Sequence, residues 1–161
     1  MVDYLSCLDK ALVETLKKNG LTVTTAESCT GGMVASSIVN ISGASQVFKE
    51  GYITYSNEAK ERILGVKRET LEQFTAVSEE TAKQMAEGAV RITGADISVS
   101  VTGVAGPLKE DDKPVGLVYI GCCYKGQVYA KKCELSGDRH TIRCQSTKEA
   151  LKFVLDVLKT H

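Results

Sequence analysis

The sequence predicts an α/β fold, a three-layer α/β/α sandwich around a mixed β-sheet, and three observations predict it. Helix-period and strand-period segments are interspersed along the chain, the pattern of strands joined by helical crossovers. Two strand-like segments near residues 116–124 and 127–135 are separated only by Lys125 and Gly126, so a hairpin adds antiparallel strands to that sheet. With 161 residues, 43% hydrophobic and 25% charged, the chain suits one globular domain with a sizeable core, expected over 1–161.

Leu5, Leu8, Leu12 and Leu16 fall on one face of a first helix that Gly20 is placed to end. The β-branched stretch 21–28 then predicts a strand, and Thr30, Gly31 and Gly32 a turn into a helix over 33–40. A second strand is expected over 47–55. Ser56 or Asn57 can cap the short helix that follows, which carries Lys60 and stops near Gly65. Ser78, with Glu79 and Glu80 behind it, starts a longer helix whose face of Ala82, Met85, Ala86, Ala89 and Thr93 runs to Gly94. Ile97, Val99 and Val101 alternate with Ser98, Ser100 and Thr102, a strand that runs into the glycine-containing loop 102–107. A last helix begins near Asp138 and packs through Ala150, Leu151, Val154, Leu155 and Leu158.

Composition removes several function classes. Lys plus Arg equals Asp plus Glu at 20 each, with no long like-charge run, so no basic stripe awaits a nucleic acid backbone. Apolar runs are strand-sized and the first twenty residues carry several charges, so neither a membrane span nor a signal peptide is expected and the chain is placed in the cytoplasm. In that compartment the six cysteines are expected as thiols. Cys122 and Cys123 are adjacent and His140 and His161 are the two histidines, which is not the spacing of a zinc site.

Ligands of α/β sheets collect beyond the carboxyl ends of strands, and three strand exits are rich in polar residues: 27–32, 55–60 and 102–107. Ser28, at a strand-to-helix turn, has a position suited to a nucleophile, with backbone N–H groups near Gly31 and Gly32 available to an oxyanion or an anionic ligand. The same Ser28 and Thr30 can simply cap the helix. A serine nucleophile needs a base, either His140 or a lysine such as Lys60 whose pKa is lowered by burial; an exposed helix lysine is the alternative for Lys60. The 102–107 loop fits a phosphate or ribose, or a tight turn. Arg139 is a cation in the first turn of a helix, where an anionic ligand or Asp138 can balance it.

Taken together, AESCTGG at 26–32, TYSNEAK at 54–60, AVSEE at 76–80, GAD at 94–96, VTGVAGP at 101–107, KPVG at 113–116 and GDR at 137–139 closely resemble the C-terminal domain family of the competence/damage-inducible protein CinA. The resemblance runs through nearly the whole chain, and the family includes nicotinamide mononucleotide deamidases. It implies a serine–lysine amidohydrolase that converts nicotinamide mononucleotide to nicotinic acid mononucleotide and ammonia in pyridine nucleotide recycling, with no metal or organic cofactor. Ser28 matches the nucleophile, Lys60 the base and Tyr55 a hydroxyl that relays or orients the proton. Thr102, Gly103 and Arg139 match positions lining the nucleotide site, and Thr30, Gly31 and Gly32 are placed with them as substrate-binding residues. A small-molecule nucleotide is the expected partner and a homo-oligomer the expected assembly. Two departures stand out: Leu108–Lys113 replaces the glycine-rich stretch usual after AGP, and no counterpart of the N-terminal domain that accompanies CinA in many bacteria is expected within these 161 residues. A catalytically silent nucleotide-binding or regulatory protein on the same fold is the competing reading, and a thiol hydrolase using Cys29 a third.

Overall fold

The computed structural model describes residues 4–161, with side chains from Cys7 onward, so the Leu5 side chain predicted on the first helix face lies outside the described part. Helix α1 (Tyr4–Asn19) buries Leu12 and Leu16 and ends where Gly20 takes a left-handed φ of 63°. Strand β1 (Val23–Glu27) leads through Gly31 and Gly32 to α2 (Met33–Val39), and a short 3-10 turn follows at Ala44–Gln46. The predicted second strand is much shorter than 47–55: β2 is Tyr52–Ile53, preceded by a single bridge between Phe48 and Val23. Gly51 lies in the break, where a Cβ would sit 2.2 Å from Thr25 Oγ1, so a residue with a side chain does not fit there without a shift.

Ser56 caps α3 (Asn57–Leu64) by accepting from the Ala59 N–H at 3.1 Å, and Gly65 ends it with φ 70°. Helix α4 (Arg68–Phe74) has no counterpart in the sequence reading. Its N-cap is Lys67, whose side chain makes no cap, so the usual signal for a helix start is missing. Helix α5 (Glu79–Thr93) begins at Ser78, whose Oγ accepts from the Thr81 N–H, and buries Ala82, Met85, Ala86 and Ala89. Strands β3 (Ile97–Gly103), β4 (Leu117–Tyr124) and β5 (Gln127–Glu134) precede α6 (Arg139–Thr160).

The sheet order is β2-β1-β3-β4-β5, parallel from β2 through β3 and antiparallel across β4 and β5. One layer of helices, α1, α2 and α6, covers one face over Leu12, Leu16, Val34, Ile38, Val99, Ile120, Leu151 and Val154. The other layer, α3, α4 and α5, closes over Ala26, Leu64, Leu71, Met85 and Ala89. The expected three-layer α/β/α sandwich with a mixed sheet is therefore the fold.

Strand β3 is buried on both faces. Its apolar side faces α1, α2 and α6, while its hydroxyls satisfy carbonyls of α5 and the segment before it: Ser98 Oγ donates to Ala86 O and Ser100 Oγ to Ala82 O, both at 2.6 Å, and Thr102 Oγ1 to Ala76 O at 2.7 Å. Gly121 on β4 lets α5 come this close, since a Cβ there would lie 2.4 Å from Ala82 O.

Candidate active site

The carboxyl ends of β2, β1 and β3 lie side by side, so the segments leaving them share one end of the sheet. Ser28 N–H donates to Val101 O at 2.9 Å and Thr54 N–H to Glu27 O at 2.8 Å, which carries the sheet pairing one step into the exits. A cavity of about 570 Å³, including its open mouth, is lined there by Ser28, Tyr55, Lys60, Thr102, Gly103 and Arg139, with Glu110 and Cys29 among the remaining walls. Six residues singled out in the sequence thus meet in one place, from four different segments.

Lys60 is 1% exposed. Its Nζ lies 3.0 Å from Ser28 Oγ, 2.9 Å from Thr54 O and 3.4 Å from Tyr55 O. Burial pulls its pKa down to about 8, against an opposing pull from the Glu110 carboxylate. The exposed helix lysine that the sequence left open is not what the fold contains.

The two carbonyls can only accept, so they take two of the amine hydrogens. In the neutral amine the remaining tetrahedral position, facing Ser28 Oγ, is a lone pair. The geometry can therefore receive a proton from the serine hydroxyl.

Tyr55 enters differently from a bridging hydroxyl. Its ring is largely exposed, its hydroxyl accepts from Arg139 Nη2 at 3.1 Å, and the Tyr55 atom that meets Lys60 is the backbone carbonyl. Arg139 Nη1 also donates to Gly106 O at 2.5 Å, tying the start of α6 to the 102–107 loop. Among the described residues Arg139 has no carboxylate partner; Asp138 instead caps α6 by accepting from the Thr141 N–H at 2.8 Å. Thr102 spends its hydroxyl hydrogen on Ala76 O, and Gly103 is glycine for packing reasons, since a Cβ there would be 2.6 Å from Val118 Cγ2.

Thr30, Gly31 and Gly32 are not among the residues lining the cavity, which departs from their expected place in the ligand site. Thr30 is fully buried, and the Gly31 N–H closes onto Ser28 O at 3.0 Å. Glu27, a residue the sequence reading passed over, takes the next N–H groups: its carboxylate accepts from Gly32, Val34 and Ala35 at 3.2, 2.8 and 3.1 Å. Its position just before a glycine turn and a helix, where positive backbone charge collects, is the signal that marks it. His140 is outside the cavity lining and lies 3.4 Å from Cys144 Sγ. Burial pushes the Cys29 thiol up to about 12, so it stays protonated at neutral pH and is a poor nucleophile.

The segment that departs from the family's usual glycines makes its turn with aspartates. Asp111 and Asp112 take left-handed φ angles of 49° and 60°, and Glu110 and Lys113 pair through both of their backbone N–H groups. Glu110 is thereby delivered to the cavity wall.

A family model described as the CinA C-terminal domain matches residues 6–158. The chain belongs to that family. A CinA-like protein of Kosmotoga olearia is 55% identical over 148 residues, covering 91% of this chain and 36% of that protein. The chain thus spans about a third of the length of the curated relatives it matches. Among solved CinA superfamily structures, one from Escherichia coli has a TM-score of 0.92 at 36% identity, over 95% of this chain and 90% of that one. The competence damage-inducible protein A of Klebsiella pneumoniae reaches a TM-score of 0.95 at 33% identity, over 98% and 99% of the two chains. With the CinA family comes the α/β fold described above, and among the described residues no helix is long and apolar enough to cross a membrane.

Proposed function

We propose that the chain is a nicotinamide-nucleotide amidase that hydrolyses nicotinamide mononucleotide to nicotinic acid mononucleotide and ammonia. The observation that carries this reading is the buried Lys60 amine 3.0 Å from Ser28 Oγ, with its other two contacts both carbonyls. Ser28 Oγ attacks the carboxamide carbon as its proton passes to Lys60 Nζ. The tetrahedral intermediate then breaks its C–N bond, Lys60 returns the proton to the leaving nitrogen, and ammonia departs from an acyl-serine ester. Water adds to the ester with Lys60 again as base, and the acid and free Ser28 are released.

Charge in the cavity supports the substrate class. The nicotinamide ring is cationic as an N-glycoside and the nucleotide phosphate is anionic. Glu110 offers a carboxylate and Arg139 a guanidinium in the lining of one cavity, one for each end. Tyr55, through its hydroxyl on Arg139, would orient that guanidinium, and Thr102 and Gly103 would form the floor beside it.

The test is to incubate the purified chain with a panel of pyridine nucleotides and amides and to measure ammonia. Release from nicotinamide mononucleotide, lost in Ser28→Ala and kept in Cys29→Ala, is expected. Binding of the nucleotide with no ammonia from any amide would replace this reading with that of a silent nucleotide-binding protein.

A further inference from the structure

Arg143 lies one helical turn beyond Arg139 on α6 and is half-buried. Its Nε donates to Cys29 O at 2.9 Å and its Nη2 to Thr30 O at 3.0 Å. Among the described residues it has no carboxylate partner, so its charge is directed at two carbonyls of the turn that carries Ser28. Gly31 makes room for it: a Cβ at that position would lie 3.2 Å from Nη2.

These contacts head a continuous chain of peptide dipoles. The carbonyl of Thr30 belongs to the same peptide unit as the Gly31 N–H, which donates to Ser28 O at 3.0 Å. Ser28 O in turn shares its peptide unit with the Cys29 N–H, which donates to no backbone carbonyl among the described residues and belongs to a residue lining the cavity. Each bond in such a series polarises the next, so a cation at one end strengthens the donor at the other. An N–H on the residue after a serine nucleophile is also a position from which an oxyanion is commonly met.

We propose that Arg143 is a positioning residue of this site: it holds the Ser28 turn closed and, through the Thr30–Gly31 and Ser28–Cys29 peptide units, polarises the Cys29 N–H that meets the oxyanion formed when Ser28 attacks. The inference rests on the amidase reading for its chemistry and on the hydrogen bonds for its geometry.

The test compares Arg143→Gln and Arg143→Lys with the parent chain. Weakening an oxyanion donor without deleting it lowers kcat by about tenfold or more in Arg143→Gln, with KM within about twofold, because the interaction strengthens only as negative charge develops. Lysine keeps the charge but cannot span both carbonyls, so Arg143→Lys falls between the two, and added guanidinium partly restores Arg143→Gln. Amide hydrogen exchange over 28–32 quickens in both variants while β3 and the rest of α6 keep their protection. An unchanged kcat, or a raised KM at unchanged kcat, overturns the proposal. If the parent chain releases no ammonia from any amide, the amidase reading fails by itself. Hydrogen exchange then decides the clamp: faster exchange over 28–32 in Arg143→Lys sustains it, and unaltered exchange removes it.

Discussion

The Lys60 amine meets the Ser28 hydroxyl at 3.0 Å from a site that is 1% exposed, and with its pKa brought down to about 8 by that burial. For a base, the active form is the unprotonated one. We therefore expect kcat/KM for nicotinamide mononucleotide to rise with pH through about 8 and level off above it. Lys60→Arg keeps a cation that cannot lose its proton and should be nearly as damaging as Lys60→Ala, whereas His140→Ala should leave the profile as it is. Pre-steady-state or initial-rate measurements across pH check this, and near-normal turnover by Lys60→Arg would end the lysine assignment.

Glu110 should displace that profile. Its negative charge favours the ammonium form of Lys60 and so holds the lysine pKa above where burial alone would leave it. In Glu110→Gln the rising limb of kcat/KM should move to lower pH. A limb that stays put or moves upward would take the carboxylate out of the lysine's surroundings in solution.

Arg139 contributes binding rather than chemistry in this scheme. Its guanidinium is anchored by Gly106 O and Tyr55 Oη and faces no carboxylate among the described residues. Arg139→Ala should raise KM for nicotinamide mononucleotide by about tenfold or more with kcat nearly constant, because a phosphate contact is made equally in ground and transition states. Nicotinamide riboside, which lacks the phosphate, is the control. Equal impairment on both would place the phosphate elsewhere.

Packing between α5 and the sheet gives a prediction independent of catalysis. Gly121→Ala would press a methyl group against Ala82 O and Ser100 Oγ, at 2.4 and 2.5 Å, in a place where both neighbours are fixed by their mutual hydrogen bond. We expect a loss of about 1–3 kcal/mol, as for other overpacked cores. Ser100→Ala should cost about 1 kcal/mol, because Ser100 Oγ no longer donates to the buried Ala82 O or accepts from the Gly121 N–H at 3.1 Å. Urea unfolding measures both, and a neutral Gly121→Ala would show that α5 is free to move away.

These contacts also mark where the sequence stops being readable. The alternation of Ile97 to Thr102 identifies a strand, but period two alone suggests one wet face; the wet face is in truth filled by α5, whose carbonyls the serines satisfy. Local signals located the helices that begin at Ser56, Ser78 and Asp138, since each cap is decided within three residues. The helix after Lys67 lacks such a cap and was invisible. Strand exits and family motifs point to Ser28, Lys60 and Arg139, which the fold brings to one cavity. Nothing points to Arg143, because its partners are backbone carbonyls 113 and 114 residues away, and a carbonyl leaves no trace in residue identity. Thr30, Gly31 and Gly32 by themselves suggest a ligand turn; Glu27, just before them, is the local signal that N–H groups at the start of α2 already have an acceptor.

Lys60 also leaves a signature in stability that needs no substrate. Its pKa falls from 10.5 to about 8 on folding, so between those values the unfolded chain holds a proton that the native chain has released. Stability must then rise with pH across that window; below about 8 both states are charged and the cost of the buried ammonium is fully present, and above 10.5 both are neutral. The full rise is about 3 kcal/mol. Raw stability curves will not display it cleanly, because Cys29, held up to about 12, works in the opposite direction: the unfolded thiol ionises first, and stability falls as it does. Lys60→Met keeps those thiols and removes the amine, along with its contacts to Thr54 O and Tyr55 O, which shift the variant by an amount that does not change with pH. The difference between parent and Lys60→Met in urea unfolding, taken under reducing conditions from about pH 7 to pH 10.5, should therefore climb in favour of the parent by about 3 kcal/mol, most steeply above pH 8. A flat difference would mean that Lys60 is an ordinary, solvated lysine in solution, and with it the neutral amine that Ser28 needs would be gone.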